Sequence, residues 1–172
     1  MIEYKNISRI IRKNKLLFTN IKRRNNKLKK YGKVIKDSVK YQKLENACIL
    51  DPQAKKQLTK EEAKNFNYFI FGGILGNAPP EKRTKKELTK FIKNAKARNI
   101  GKEQLSTDSA VFVVNEIIKG KKLENIKFQD SIEIKINDIE SVILPFRYPI
   151  INGKPFMSNE LVRYLKSKRR IF

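Results

Sequence analysis

Short apolar runs alternate with helical patterns along this chain, and this alternation limits its fold more than any other feature. Residues 46–52 (NACILDP) and 67–71 (NYFIF) are too short and too apolar for amphipathic helices. Wholly apolar strands separated by helices are typical of a sheet that is mostly parallel and covered on both faces. The sequence therefore predicts an α/β fold with a mostly parallel sheet and helices on both of its faces.

The same periodicities predict the remaining elements. Strands are expected at 16–20, 131–136, 141–145 and 146–150, helices at 3–13, 34–43, 85–95, 108–119 and 158–168, and turns at Thr59 and 151–154. The segment from about 21 to 33 is rich in Lys and Arg and contains no acidic residue. It is predicted to be a basic arm or loop that either contacts phosphates or is simply solvated surface. Because there is no repeat and no linker, residues 1–172 are expected to form a single domain.

The charge balance indicates the kind of partner. Lys and Arg number 40 against 17 Asp and Glu, which gives a formal net charge of +23. Such a surface attracts polyanions, so RNA or a ribosomal particle is the expected partner. The alternative is that abundant lysine reflects only an AT-rich genome or a hot environment.

Several classes of protein are excluded by composition. The chain has no histidine, and its single cysteine, Cys48, lies in the apolar run ACIL. The usual zinc ligands and the usual base near neutral pH are therefore absent, and no metal site is expected. No apolar segment approaches the roughly 20 residues that span a bilayer, and no signal peptide is recognisable, so a cytoplasmic protein is expected.

A glycine- and proline-rich loop follows the apolar run YFIF and is the first candidate site. In a parallel α/β sheet, ligands bind beyond the carboxyl ends of the strands. Gly72, Gly73 and Gly76 allow close backbone approach to a ligand, and Pro79-Pro80 stiffens the loop. The loop matches neither a dinucleotide-binding nor a Walker pattern, so the residues alone leave a ligand site and a structural turn both open.

The wider motif order resembles a known family. FGGILG followed by a polar residue and PPxxRT is similar to the signature of the SFM1-like family of SPOUT-class S-adenosylmethionine-dependent methyltransferases. Its eukaryotic branch modifies an arginine of a small-subunit ribosomal protein, and its archaeal branch is regarded as RNA methyltransferases. The segments LLFTNIK, LDPQAKKQLTKEEAKNFNYFIFGGILG, GKEQLSTDSAV and LPFRYPIINGKPFMS resemble successive blocks of this family, so the similarity covers nearly the whole chain.

The resemblance implies a C-terminal trefoil knot and a cofactor, S-adenosylmethionine, held among three loops. The implied cofactor-binding residues are Gly72, Gly73, Ile74, Leu75 and Gly76 in the first loop, Gln104, Ser106 and Thr107 in the second, and Leu144, Pro145, Phe146 and Tyr148 in the third. Members of the class are dimers joined through the knot or, in this branch, a monomer. The oligomeric state therefore stays open.

The resemblance indicates fewer residues for binding the substrate that accepts the methyl group and for catalysis. Arg147 and Glu81 are the predicted catalytic residues, and Arg83 and Asn77 are the predicted substrate-binding residues. A carboxylate could orient an arginine acceptor and take its proton, and the candidates are Glu81 and Asp108. Either could instead be structural: Glu81 as a solvated side chain, and Asp108 as a helix cap in STDSA. For Asp108, capping is the predicted role. The two arginines could also pair internally with acids.

Two departures from the family pattern bear on these assignments. Asn77 stands where many members carry an acid, which puts a carboxylate role at that position in doubt. Members also open with a strand and a loop before the helix that resembles IEYKNISRII, whereas Met1 here falls almost at that helix. Either the strand is missing or the recorded start lies downstream of the true one.

The sequence thus favours a methyltransferase that acts on a ribosome-related substrate, either RNA or an arginine of a ribosomal protein. A non-catalytic basic RNA-binding protein that keeps the knotted fold is the alternative. A structural component of the ribosome is a third interpretation, and the defined Gly-Pro loop speaks against it.

Overall fold

A three-stranded parallel sheet forms the centre of the fold. The computed structural model describes residues 1–22, 27–73 and 84–168. The helices are α1 (Ile2–Ile10), α2 (Lys60–Ala63), α3 (Thr107–Ile118) and α4 (Asn159–Lys168), and the strands are β1 (Leu17–Phe18), β2 (Lys33–Val34), β3 (Ala47–Leu50), β4 (Tyr68–Ile70), β5 (Ala95–Arg98), β6 (Phe128–Lys135), β7 (Ser141–Ile151) and β8 (Lys154–Pro155). The central sheet has the order β4-β3-β5, and both of its pairings are parallel. The predicted α/β class is confirmed.

Strand β3 is apolar throughout because it is buried on both faces. Cys48 and Leu50 belong to a hydrophobic cluster with α3, while Ala47 and Ile49 belong to a second cluster on the other face. Alternate residues of a strand point to opposite faces, so a central strand covered on both sides has no position for a polar side chain. Burial of each large aliphatic side chain contributes about 1.5–3 kcal/mol.

Helix α3 covers one face of the central sheet. Its residues Val113, Val114 and Ile117 pack into the cluster that contains Cys48. The helix ends at Gly120, whose φ of +102° suits glycine, and the amide of Gly120 donates to the carbonyl of Ile117. This helix is as predicted, apart from one residue at each end.

Two helix predictions were wrong. Residues 34–43 contain only the 3₁₀ turn Val39–Tyr41, because Val34 pairs with β1 in a short parallel ladder. Residues 85–95 contain a single π-helical turn, Lys85–Thr89, and then give way to β5, which pairs with β3 from Ala95 onward. In both segments, pairing with a distant strand overrides the local helical pattern.

The C-terminal part is antiparallel, unlike the mostly parallel sheet that was predicted. Strands β6 and β7 form a long hairpin, and β8 pairs with β7. The predicted strands 141–145 and 146–150 are one continuous strand. The predicted turn at 151–154 is confirmed, with Asn152 at φ 50° and Gly153 at φ 75°, as a tight hairpin turn requires. The trefoil knot stays a prediction.

No helix within residues 1–22, 27–73 and 84–168 is long and apolar enough to cross a membrane.

Candidate functional site

The carboxyl ends of the three parallel strands lie at one edge of the central sheet. Gly72 and Gly73 follow β4, Asp51 follows β3, and Gly101 lies three residues beyond β5. Gly73 has φ +53° and Gly101 has φ +106°, conformations that favour glycine. No described atom lies within 4 Å of the position that a Cβ on Gly73 would take. Gly73 is exposed, and the ligand site predicted from the strand-end argument stays a prediction.

Asp51 is a buried acid at this edge that the sequence analysis did not select. Its side chain is 2% exposed; one oxygen accepts from the amide of Gln53 at 2.9 Å and the other from the hydroxyl of Thr89 at 2.7 Å. In the sequence, Asp51 was only part of the predicted strand segment 46–52. The contacts show that Asp51 also ties this turn to the π-helical turn that precedes β5.

The second predicted cofactor loop runs alongside β7. The carbonyl of Gln104 accepts from the amide of Arg147 at 2.8 Å, and Leu105 forms a parallel bridge with Arg147. Leu105 packs against the same hydrophobic cluster as Phe71, the residue before Gly72. The structure therefore places the second loop directly beside the third segment, and the residue before the first loop packs on the same hydrophobic cluster as the second.

Ser106 and Asp108 take part in a buried polar network where α3 begins. The Ser106 hydroxyl is 2.7 Å from the Asp108 carboxylate and 2.8 Å from the Ser109 hydroxyl. Asp108 also accepts from the Asn6 amide at 2.8 Å and from the backbone amide of Ser109 at 3.0 Å. The N-cap position is occupied by Ser106, so the prediction that Asp108 caps the helix is corrected: Asp108 lies in the first turn and joins α3 to α1.

Two further titratable groups face this network. Burial, followed by the negative charge of Asp108, raises the pKa of Glu3, and a hydrogen bond from Thr107 partly opposes that rise. Burial likewise raises the pKa of the Tyr148 hydroxyl, with Asp108 and Glu3 adding to the effect. Thr107 and Tyr148, both predicted to bind the cofactor, thus lie beside an acidic pair that the sequence analysis did not recognise as one cluster.

Arg147 is ion-paired with two acids. Its Nε and Nη2 atoms donate to both oxygens of Asp130 at 2.6 and 2.9 Å, and Nη1 donates to Glu103 at 2.8 Å. The guanidinium carbon lies 5.4 Å from the ring centroid of Phe128. The hydrogen bond to Asp130 raises the pKa of Arg147 and lowers the pKa of Asp130. Internal pairing, which the sequence left open for this arginine, is what the structure shows.

The remaining residues of the third predicted loop lie within strand β7. The side chains of Leu144 and Phe146 pack, together with Val162 and Leu165 of α4, against a cluster that includes Tyr148. Tyr148 is 3% exposed. These three side chains lie on the face of β7 that packs against α4, whereas Pro145, between Leu144 and Phe146, is exposed. Their role in binding the cofactor stays a prediction.

Six predicted site residues lie outside the described residues: Ile74, Leu75, Gly76, Asn77, Glu81 and Arg83. Their roles stay predictions. Within the described part of the chain, no three His, Cys, Asp or Glu side chains are grouped so that they could hold a metal ion.

Sequence reasoning missed Glu103 and Asp130 as well as Asp51. Glu103 lies in the segment GKEQLSTDSAV, so the motif itself pointed to its neighbourhood. Asp130 is separated from Arg147 by 17 positions, and only the hairpin register of β6 and β7 places them opposite each other. The sequence signal that could have predicted this ion pair is the alternation of two strands joined as a hairpin, with an acid and an arginine at paired positions.

Comparisons with known proteins agree on one family. The model for "Protein arginine N-methyltransferase SFM1-like" matches residues 1–170. Protein arginine N-methyltransferase SFM1 of Saccharomyces cerevisiae is 40% identical over 121 residues, which are 69% of this chain and 57% of the yeast protein. The aligned part of the chain therefore spans little more than half of that relative's length.

Solved structures of the yeast enzyme have the same fold. The crystal structure of yeast arginine methyltransferase SFM1 complexed with SAM superposes with a TM-score of 0.86 at 30% identity, covering 97% of this chain and 83% of that chain. The complex with SAH gives a TM-score of 0.86 at 32% identity, covering 96% and 87%.

Proposed function

Because the chain belongs to the SFM1-like family of protein arginine N-methyltransferases, we propose that it transfers a methyl group from S-adenosylmethionine to an arginine side chain of a protein. The observation that carries this proposal is the family match over residues 1–170, joined to the similarity with an arginine methyltransferase solved with SAM and SAH. The acceptor is an arginine of a ribosomal protein. The net charge of +23 supports this choice, because it attracts ribonucleoprotein particles.

The residues at the carboxyl edge of the sheet fit the cofactor. The backbone of Gly73 is open to a ligand, and the Gly101–Thr107 segment lies in the same region of the molecule. Gly72, Gly73 and Gln104 would hold the cofactor through backbone groups and the Gln104 amide. When bound, S-adenosylmethionine supplies an electrophilic methyl group on a sulfonium. Transfer forms a C–N bond at the guanidinium and breaks the S–C bond, and the guanidinium loses a proton.

The protein's part is to hold the guanidinium in line and to accept its proton. Glu81 keeps that predicted role. Asp108 suits it poorly, because Asn6, Ser106 and the Ser109 amide already hydrogen bond to its carboxylate. Arg147 is inferred to be a positioning residue, since it links β6 and β7 to the loop that carries Glu103.

Cofactor binding can be tested by isothermal titration with S-adenosylmethionine. Gly73→Ala introduces strain at a positive φ and should weaken binding at least tenfold. Gly153→Ala is the matched control, because Gly153 also has a positive φ and open space around it but lies in the β7–β8 turn. Equal affinities for the wild type and Gly73→Ala would contradict the assignment of this loop, and no titratable binding by the wild type would favour a non-catalytic RNA-binding protein.

The acceptor can be tested with methyl-labelled cofactor and ribosomal extract. Label that survives nuclease, is lost on protease treatment and is recovered as methylarginine after hydrolysis is the expected result. Label removed by nuclease would instead identify RNA as the acceptor and contradict the proposal. The cytoplasmic localisation stays a prediction, and the oligomeric state, monomer or dimer, stays open.

A further inference from the structure

The N-terminal lobe, comprising residues 12–22 and 27–36, is uniformly basic. The sequence contains no Asp or Glu between Glu3 and Asp37. Exposed basic side chains on the described part of this lobe are Arg12, Lys13, Lys15, Lys22, Lys27, Lys29, Lys30, Lys33 and Lys36. None of them forms an ion pair with a described acid. This surface therefore carries a concentrated positive charge that the described residues do not neutralise.

A groove crosses this lobe between the 3₁₀ turn Lys13–Lys15 and strand β2. It has a volume of about 520 Å³, is open to solvent, and is lined by Lys13, Asn14, Gly32 and Lys33. The amide of Lys33 donates to the carbonyl of Leu16 at 2.9 Å, which fixes Lys33 relative to the turn that carries Lys13. Lys13 and Lys33 therefore lie on segments that a backbone hydrogen bond holds together, rather than on a flexible tail.

Gly32 determines how closely the two sides of the lobe approach. A Cβ at this position would lie 2.8 Å from the Cβ of Leu16 and 2.9 Å from the ring of Phe18. Real Cβ atoms do not approach so closely, so any side chain here would push β2 away from β1. Glycine therefore keeps Lys33 close to the segment that carries Lys13 and leaves the floor of the groove without a side chain.

We propose that this groove binds the sugar-phosphate backbone of single-stranded RNA. The cations that line it are lysines, which bind phosphates as point charges, and the lobe around them contains no acidic residue, so its field suits a chain of closely spaced phosphates. The groove lacks the bulky apolar lining of a small-molecule pocket. This inference goes beyond the proposed function and does not depend on methyl transfer.

The test is the salt dependence of binding to a fluorescent single-stranded RNA of mixed sequence, measured by anisotropy without cofactor. Each phosphate contact contributes about 0.7 to the slope of log K against log salt for single strands. The double variant Lys13→Gln/Lys33→Gln should bind severalfold more weakly and lower the slope by about 1.4. Lys13→Arg/Lys33→Arg should restore both.

The control is Lys127→Gln/Lys135→Gln, which removes the same charge from exposed positions at β6 and should leave the slope close to that of the wild type. An unchanged slope in the groove variant, or an equal change in the control, would overturn the proposal. So would equal binding by polyglutamate. Circular dichroism and thermal melting verify that each variant is folded.

Discussion

Asp108 illustrates how much a single side chain contributes near the candidate site. Its carboxylate is 6% exposed and accepts hydrogen bonds from α1 through Asn6, from the N-cap residue Ser106, and from the backbone of its own helix. The sequence predicted the start of the helix to within one residue, but not the connection to α1, because Asn6 and Asp108 are 102 positions apart. A buried acid with several donors stabilises the fold through the donors that it satisfies.

Replacing Asp108 by alanine should destabilise the protein by about 3 kcal/mol, because the buried amide of Asn6 and the half-buried hydroxyl of Ser106 lose their acceptor. Urea unfolding followed by circular dichroism measures this change. Asp138→Ala, at an exposed position in the β6–β7 turn, should change the free energy of unfolding by less than about 0.5 kcal/mol. Similar effects of the two substitutions would show that the network contributes little.

Replacing Glu3, unlike replacing Asp108, should stabilise the protein at neutral pH. Its pKa is raised in the folded state, so the folded protein binds this proton more tightly than the unfolded chain does. The stabilising contribution of the protonated form is complete below the unfolded value near 4.5 and is lost as the pH rises through the folded pKa. Glu3→Gln should therefore melt at a higher temperature than the wild type at pH 7.

The advantage of Glu3→Gln should disappear near pH 4, where the wild-type carboxyl is also neutral. Thermal melting of both proteins between pH 4 and 8 tests the sign. Glu160→Gln is a useful comparison, because Lys5 lowers the pKa of Glu160 and its contribution is lost toward low pH. A Glu3→Gln protein less stable than the wild type at pH 7 would contradict the account.

At the scale of elements, strand pairing explains where the sequence prediction failed. Strand β5 reads AKAR, which has low strand propensity, yet it pairs along its whole length with β3. Arg98 at its end is bound by both oxygens of Glu62, through Nε at 2.8 Å and Nη2 at 2.6 Å. These contacts come from parts of the chain that local periodicity does not include, whereas β3 and β4 were predictable from their own apolar residues.

The close approach of β1 and β2 gives a prediction at this scale. Gly32→Ala should destabilise the protein by about 1–3 kcal/mol, because its Cβ would overlap Leu16 and Phe18. Chemical denaturation measures the loss, and hydrogen exchange at the amides of Lys33 and Ile35, which donate to the carbonyls of Leu16 and Phe18, localises it. Unchanged protection of both amides would mean that the lobe can relax without cost.

The charge of the whole molecule should also affect its stability. With 40 Lys and Arg against 17 acids, like charges repel across the folded surface more strongly than in the expanded chain. Raising NaCl from about 20 to about 200 mM shortens the Debye length and should increase the melting temperature by a few degrees. Sucrose at equal osmolarity controls for solute effects. A melting temperature that falls with salt would indicate that attractive ion pairs dominate.

The sequence by itself determined the α/β class, the buried central strands, helix α3, and the position of Gly72 and Gly73 after β4. These features depend on residues that are close together in the chain. The spacing of apolar residues, the residues that end helices and the backbone conformations open to glycine all act locally. Tertiary structure alone decided the pairing of β5 with β3, the ion pairs that hold Arg147, and the network around Asp108. Each requires two segments distant in sequence to meet, and the energy of such a contact is absent until the chain has folded.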